Sequence, residues 1–379
     1  WHPLGIEIDR ASGVFLYDTQ GKRYLDFISG IGVSNIGHGN PHVLAAIHAQ
    51  ADRYLHAMVY GEFQLRPQRE AAAKLVATLS HPLDTCYFVN SGTEANEAAL
   101  KLARRATGRS TLVSFRGAYH GNTMGSLSVS ANEKKKGPFR PLIPGVKFIR
   151  FGAIDDLRQI DEQVAGVIVE TIQGDAGVRI PDPTYMKQLK QRCADVGAML
   201  ICDEIQCGMG RTGTMWAHQA MGFVPDVLTA GKALAGGLPV GCMVAARHHM
   251  EQLASDPELG HITTFGGHPL VCAAVSANLD VFSSAIDFDF VRTNGAYIAE
   301  RLLSHPAVKA VRQIGYYIAV DLEGAEHVQH VVTGCLNDGL LLFWFLSSPW
   351  SFRIAPPLTI SREETDLALK ILVNSLDHV

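Results

Sequence analysis

No stretch of this 379-residue chain is apolar for long enough to span a membrane. The longest uninterrupted run, Leu340 to Leu346, falls far short of the roughly 18 residues a crossing helix needs. Charge of one sign is also missing. With 33 Lys and Arg against 37 Asp and Glu, the formal net charge is -4 and offers no electrostatic footprint for nucleic acid. The one basic cluster, Lys134 to Lys136, stops at Gly137-Pro138 and reads as a solvated loop. Cysteine is sparse and unpatterned: seven residues, an odd number, with no Cys-x-x-Cys, so reduced and mostly buried thiols are expected. Neither these cysteines nor the histidines, His248-His249 included, have ligand spacing, and no metal is expected. Repeats, low-complexity tracts and a flexible interdomain linker are absent as well. The cytoplasm is the default compartment, although the chain opens at Trp1 rather than Met and leaves a preceding targeting segment open.

What is present is a chain that is 47% hydrophobic, enough for a sizeable core and two intimately connected domains. Val14-Phe-Leu-Tyr-Asp18, Thr19-Gln-Gly21 and Tyr24-Leu-Asp-Phe27 predict a β-hairpin. A glycine-rich passage then leads to a helix begun by Pro41, with apolar positions at Val43, Leu44, Ile47 and Ala51. From about Leu65 to Val244, helical windows alternate with short apolar runs: Cys86–Val89, Thr111–Phe115, Gly166–Glu170, Met199–Asp203 and Val227–Thr229. Such runs resemble buried parallel strands and argue for an open α/β sheet. Ligands of these sheets sit outside the carboxyl ends of the strands. That is where Asn90-Ser91-Gly92-Thr93, Glu170, Asp203 and Lys232 fall.

Lys232, ending Asp226-Val-Leu-Thr-Ala-Gly-Lys232 downstream of Asp203-Glu204-Ile205-Gln206, is the most informative residue. A neutral amine attacks a carbonyl, and a carboxylate at a buried strand end holds a heterocyclic nitrogen protonated. The pair points to pyridoxal phosphate. Ser91 starts a helix in which Glu94, three residues on, completes a Ser-x-x-Glu capping box. The same helix start suits a phosphate: Gly92 admits an anion to the backbone, the first-turn N–H groups are unpaired and Thr93 adds a hydroxyl.

The runs Leu200-Ile-Cys-Asp203-Glu-Ile-Gln206-Cys-Gly208-Met-Gly210-Arg211-Thr-Gly213 and Asp226 to Gly237 resemble the signature of class III pyridoxal-phosphate-dependent aminotransferases, the acetylornithine, ornithine and ω-amino acid group. The resemblance extends through Ser91-Gly-Thr-Glu-Ala, Ala118-Tyr-His-Gly121, Glu170-Thr-Ile-Gln-Gly-Asp-Ala-Gly177, Thr264-Phe-Gly-Gly267 and Arg353-Ile-Ala-Pro-Pro357. It implies fold type I, with a large domain over residues 46–275 built on a mostly parallel sheet. A smaller α+β domain would come from both chain ends, 1–45 and 276–379.

For the site it implies that Lys232 bonds the cofactor aldehyde and then shuttles protons, and that Asp203 pairs with the ring nitrogen. Gln206 would donate to the phenolic oxygen and Tyr119 would stack on the ring. His120 falls among the cofactor-binding residues without a defined role, and Glu170 lies either near the ring or in a strand-end hydrogen bond. Thr264 would reach the phosphate of the other subunit, which implies a homodimer with shared sites. Arg353 would clamp a substrate carboxylate, with Asp175 as its partner.

Asn122 stands where relatives acting on acetylornithine, ornithine or γ-aminobutyrate have an arginine for a second carboxylate. Lys134, Lys136 and Arg140 are candidates to replace it, and Leu340–Leu346 with Trp350 are either a buried strand or the lining of an apolar pocket. The implied reaction is ping-pong transfer from an amino acid or ω-amine to a 2-oxo acid such as 2-oxoglutarate or pyruvate. An aminomutase or racemase on the same fold, and a non-catalytic binding protein, are the alternatives.

Overall fold

A computed structural model describes residues 4–379, so Trp1 lies outside the described residues. Near the amino end, β1 (Ile8–Ser12), β2 (Phe15–Asp18) and β3 (Arg23–Asp26) form an antiparallel meander. The expected hairpin is its second half. The first strand, IDRAS, was not foreseen because it is nearly all exposed and carries no apolar alternation.

Seven strands then build one sheet in the order β4-β10-β9-β8-β7-β5-β6. They are β4 (Thr85–Val89), β5 (Thr111–Phe115), β6 (Val146–Ile149), β7 (Val164–Glu170), β8 (Met199–Asp203), β9 (Val227–Gly231) and β10 (Gly241–Ala245). Pairs β5/β6, β5/β7, β7/β8 and β8/β9 are parallel. β10 is antiparallel to both β4 and β9. Thus β4, expected to sit in a parallel ladder, is hydrogen-bonded only to an antiparallel neighbour. A strand buried on both faces reads as a continuous apolar run whatever its direction, so sequence does not separate the two cases. Every residue of β7, β8, β9 and β10 is buried. Each large aliphatic side chain there contributes about 1.5–3 kcal/mol relative to exposure.

The Gly92–Thr107 helix lies on this sheet through Ala95, Ala98, Ala99, Leu102 and Ala103, all buried. Its small side chains allow a close seat. A Cβ on Gly166 of β7 would come within 2.8 Å of Ala103 Cβ, so that glycine is needed for the approach.

A third sheet, near the carboxyl end, has the order β11-β12-β15-β14, from β11 (Ala310–Ile314), β12 (Tyr317–Asp321), β14 (Phe343–Trp344) and β15 (Ser351–Ile354). Between them in the chain, β13 (Leu340–Leu341) joins β3 in parallel, Leu340 opposite Leu25. The Leu340–Leu346 run thus forms two short strands, β13 and β14: Leu340, Leu341 and Leu342 are buried, whereas Leu346 and Trp350 are exposed. Helix Pro41–Ala51 forms where Pro41 predicts, capped by Asn40, but of its four expected core positions only Val43 is buried. The positions 45/46 and 275/276 each fall inside a helix, Pro41–Ala51 and Pro269–Ala285, and these two helices pack against each other. No linker marks either place.

Candidate active site

The parallel registers bring the key strand ends side by side. Glu170 lies opposite Asp203, and Asp203 opposite Thr229. Lys232 follows β9 directly, with φ of 44°, a left-handed conformation that costs a non-glycine residue about 1 kcal/mol or more. These ends open on a cavity of about 250 Å³ whose walls include Gly92, Thr93, Tyr119, His120, Asn122, Glu170, Asp203, Ile205, Gln206 and Lys232. Of the expected site residues, Ser91, Thr264, Asp175 and Arg353 do not line it.

Asp203 is held from several sides. Its Oδ2 accepts from Asn96 Nδ2 at 2.8 Å and lies 2.8 Å from His120 Nδ1, while Oδ1 accepts from the Ile205 amide at 3.1 Å. His120, which sequence left without a role, is thus a partner that orients Asp203. Asn96 was missed altogether. Its Nδ2 also donates to the His120 carbonyl and its Oδ1 accepts from Thr229 Oγ1 at 2.8 Å, making it the hub of the cluster. The available signal was an asparagine on the buried, otherwise apolar face of a helix.

Glu170 accepts from the Tyr119 amide at 3.0 Å and the Gly174 amide at 2.9 Å. It thus makes the strand-end hydrogen bonds of one expected reading and also lines the cavity. Burial, with neighbouring Asp203 adding to it and His120 opposing, pushes its carboxyl up to about 7. Lys232 moves the opposite way. Burial lowers its pKa, only partly opposed by Asp203 and Glu170, which favours the neutral amine that carbonyl chemistry requires.

At the helix start, Ser91 Oγ accepts from the Glu94 amide at 3.4 Å. The return bond of the expected capping box goes one residue further back: Glu94 Oε2 accepts from the Asn90 amide at 2.6 Å. Ser91 is occupied as a cap, while Gly92 and Thr93 face the cavity. Ile205 packs on Gly92, where a Cβ would lie 2.8 Å from its side chain, and forms a cavity wall that sequence reasoning did not single out.

The substrate end differs from expectation. Asp175 does not pair with Arg353; it accepts from Ser347 Oγ at 2.5 Å and lies 3.7 Å from Lys135 Nζ. An aspartate lacks the reach of a glutamate, and nearer donors hold it. Arg353 is 5% exposed; its guanidinium lies 4.3 Å above the Phe345 ring, and its Nε has no partner. Neither Lys134, Lys136 nor Arg140 reaches the cavity. Lys136 is buried against the Ser128 carbonyl and, with Arg140, pairs with Glu133. The lysine near the site is the overlooked Lys135, whose ammonium stands 5.3 Å from the Tyr119 ring centre. Asn122 donates to Tyr119 Oη at 3.1 Å. Thr264 is exposed, its carbonyl bonded by His56 at 2.9 Å and its hydroxyl 3.4 Å from Tyr60 Oη.

These residues fit a phosphorylated pyridine aldehyde: an amine whose pKa burial lowers, a carboxylate for the ring nitrogen, an amide beside it, and walls from Tyr119 and Ile205. The helix amino terminus beside them is suited to an anion. The family model described as "Aminotransferase class-III" matches residues 1–376, and the chain belongs to that family. It is a pyridoxal-phosphate-dependent transaminase of the fold type I architecture, moving an amino group to a 2-oxo acid.

An acetylornithine aminotransferase of Archaeoglobus fulgidus is 39% identical over 372 residues, covering 97% of this chain and 95% of that one. A [LysW]-aminoadipate semialdehyde/glutamate semialdehyde transaminase of Sulfolobus acidocaldarius is 39% identical over 322 residues, 84% of this chain and 82% of that one. Among solved structures, ornithine aminotransferase of Toxoplasma gondii superposes with a TM-score of 0.91 at 28% identity, covering 99% of this chain and 90% of that one. An (S)-enantioselective omega-transaminase of Thermomicrobium roseum does so with 0.91 at 29%, covering 98% and 92%. The isomerase and non-catalytic readings give way to the transaminase.

Proposed function

We propose that Lys232 carries the cofactor and moves the proton, that Asp203 keeps the ring nitrogen protonated, and that Arg353 takes the carboxylate of both donor and 2-oxo acid. Pyridoxal phosphate, when bound, supplies the electron sink for the carbanion at the substrate carbon. The observation that carries this reading is the convergence of Lys232, Asp203, Gln206 and the Gly92-Thr93 helix start on one cavity. His120 and Asn96 fix the Asp203 carboxylate. Gln206 donates to the phenolic oxygen, and Tyr119 and Ile205 hold the ring between them. Glu170 bonds the backbone of the Tyr119 and Gly174 loops and so sets the wall beside the ring. Arg353 is buried and, unlike Arg211, its side chain makes no hydrogen bond at all among the described residues, the condition of a cation awaiting a carboxylate.

The donor we infer is an amino acid or ω-amine carrying a single near carboxylate, because Asn122 offers no charge to a second. The active unit is a homodimer in which Thr264 serves the neighbouring site. Around Thr264, Leu55, Phe63, Ile262 and Phe265 are exposed, an apolar surface suited to a second copy. Within each chain, residues 46–275 form the cofactor-binding unit, with 1–45 and 276–379 as the smaller one, a division supported by the β3–β13 ladder that joins the two chain ends. A cytoplasmic location is supported by seven unpaired thiols, six of them buried.

Borohydride reduction of the holoenzyme followed by peptide mapping should leave the cofactor on Lys232. A screen of amino donors, read by loss of the visible cofactor band with and without 2-oxoglutarate, should then rank mono- above dicarboxylate donors. Label on another lysine, or none, would overturn the assignment.

A further inference from the structure

Tyr317 lies on β12 and is 2% exposed, yet its hydroxyl has no hydrogen-bond partner. A buried orphan hydroxyl is costly, so its placement needs a reason. Ala319 is opposite Arg353 in the β12/β15 ladder, and Tyr317, two residues earlier on the same strand, projects from the same face, toward the site. Gly174 marks where the hydroxyl goes. This glycine has no positive φ, so conformation does not demand it; space does. A Cβ built there would overlap Tyr317 Oη and lie 2.7 Å from Gln206 Oε1. A phenolic hydroxyl and an amide oxygen therefore both border the space that Gly174 leaves, without a hydrogen bond between them. Among the described residues the Gln206 side chain makes no hydrogen bond of its own, although it lines the cavity.

We propose that Tyr317 is a positioning residue: in the holoenzyme its hydroxyl donates to Gln206 Oε1 and thereby turns the Gln206 amino group toward the cofactor's phenolic oxygen. A free amide presents oxygen or nitrogen to the ring with little preference, and an oxygen there would repel the phenolate. Tying Oε1 to Tyr317 removes that choice. The inference rests on the proposed role of Gln206. A donor at the phenolic oxygen stabilises its negative charge and loosens its hold on the neighbouring nitrogen's proton. Losing the donor raises the pH at which the bound cofactor's visible band titrates.

The test compares holoenzyme of the wild type, Tyr317→Phe, Gln206→Ala and the double variant by that titration and by the cofactor dissociation constant. Tyr317→Phe should raise the midpoint by about one unit and weaken cofactor binding roughly three- to tenfold, the scale of one lost hydrogen bond. In the Gln206→Ala background it should do neither. A shift from Gln206→Ala but none from Tyr317→Phe would overturn the inference and leave the Gln206 role standing. No shift from either would overturn both. Equal effects of Tyr317→Phe with and without Gln206 would show that it acts by another route and overturn the inference alone.

Discussion

Two arginines, Arg211 and Arg353, are both almost wholly buried, and they are held in opposite ways. Arg211 donates from Nη1 to the carbonyls of Tyr316 and Pro356, at 3.2 and 2.6 Å, and from Nη2 to Asn35 Oδ1. It ties the loop after Asp203 to both chain ends. The Arg353 side chain makes no hydrogen bond within the chain among the described residues and rests on an aromatic face. Burial lowers the pKa of each, that of Arg211 to about 10. The same desolvation is offset by fold contacts in one case and, on our proposal, by substrate in the other. Burial of a charge therefore does not tell structure from function; what its donors face does.

The comparison breaks most visibly in stability. Arg211→Met should cost about 3–5 kcal/mol in urea unfolding, since it strands three acceptors and empties a buried volume. A cost below 1 kcal/mol would deny it the structural role. Arg353→Met should leave the unfolding midpoint unchanged or higher, while kcat/KM for carboxylate donors falls about 100-fold and that for amines without a carboxylate falls little. Equal losses on both donor types would remove the clamp.

Glu170 sharpens the contrast through pH. Its folded pKa of about 7 exceeds its ordinary 4.5, so the folded protein binds the extra proton between those values. Its favourable contribution is present below about 4.5 and lost as pH rises through 7. Glu170→Gln should abolish about 2–3 kcal/mol of that pH-dependent loss, measured by unfolding at pH 4.5 and 8 relative to wild type. The smallest effect is expected from Asn122→Arg, which should lower KM for dicarboxylate 2-oxo acids about fivefold and leave monocarboxylates unchanged. Steady-state kinetics with paired substrates reads it.

What could be read beforehand followed a physical rule. Strand runs, the Pro41 helix start and the Ser91 cap are local, and each was legible from neighbouring residues. The Asp203–Lys232 pairing was legible because parallel strands align their carboxyl ends. Partners that meet only by tertiary packing were not: Asn96 with Asp203, Asp175 with Ser347, and Lys135 with Tyr119 are 107, 172 and 16 positions apart. Choosing among Lys134, Lys135 and Lys136 needs the phase of a single helical turn, Glu133–Lys136, and sequence does not supply it. The antiparallel course of β10 was hidden because antiparallel and parallel interior strands share one composition.

The Gly92–Thr107 helix has a metric consequence. Gly92 and Thr93 of its first turn line the cavity, where our proposal puts the phosphate, and Asn96, one turn further along, bonds Asp203, the carboxylate it assigns to the ring nitrogen. One rigid rod, rising about 1.5 Å per residue, therefore gauges both ends of the cofactor. A ligand whose anion and ring nitrogen stand at another separation satisfies one end only, so the length of a single helical turn becomes a measure of which molecule is admitted.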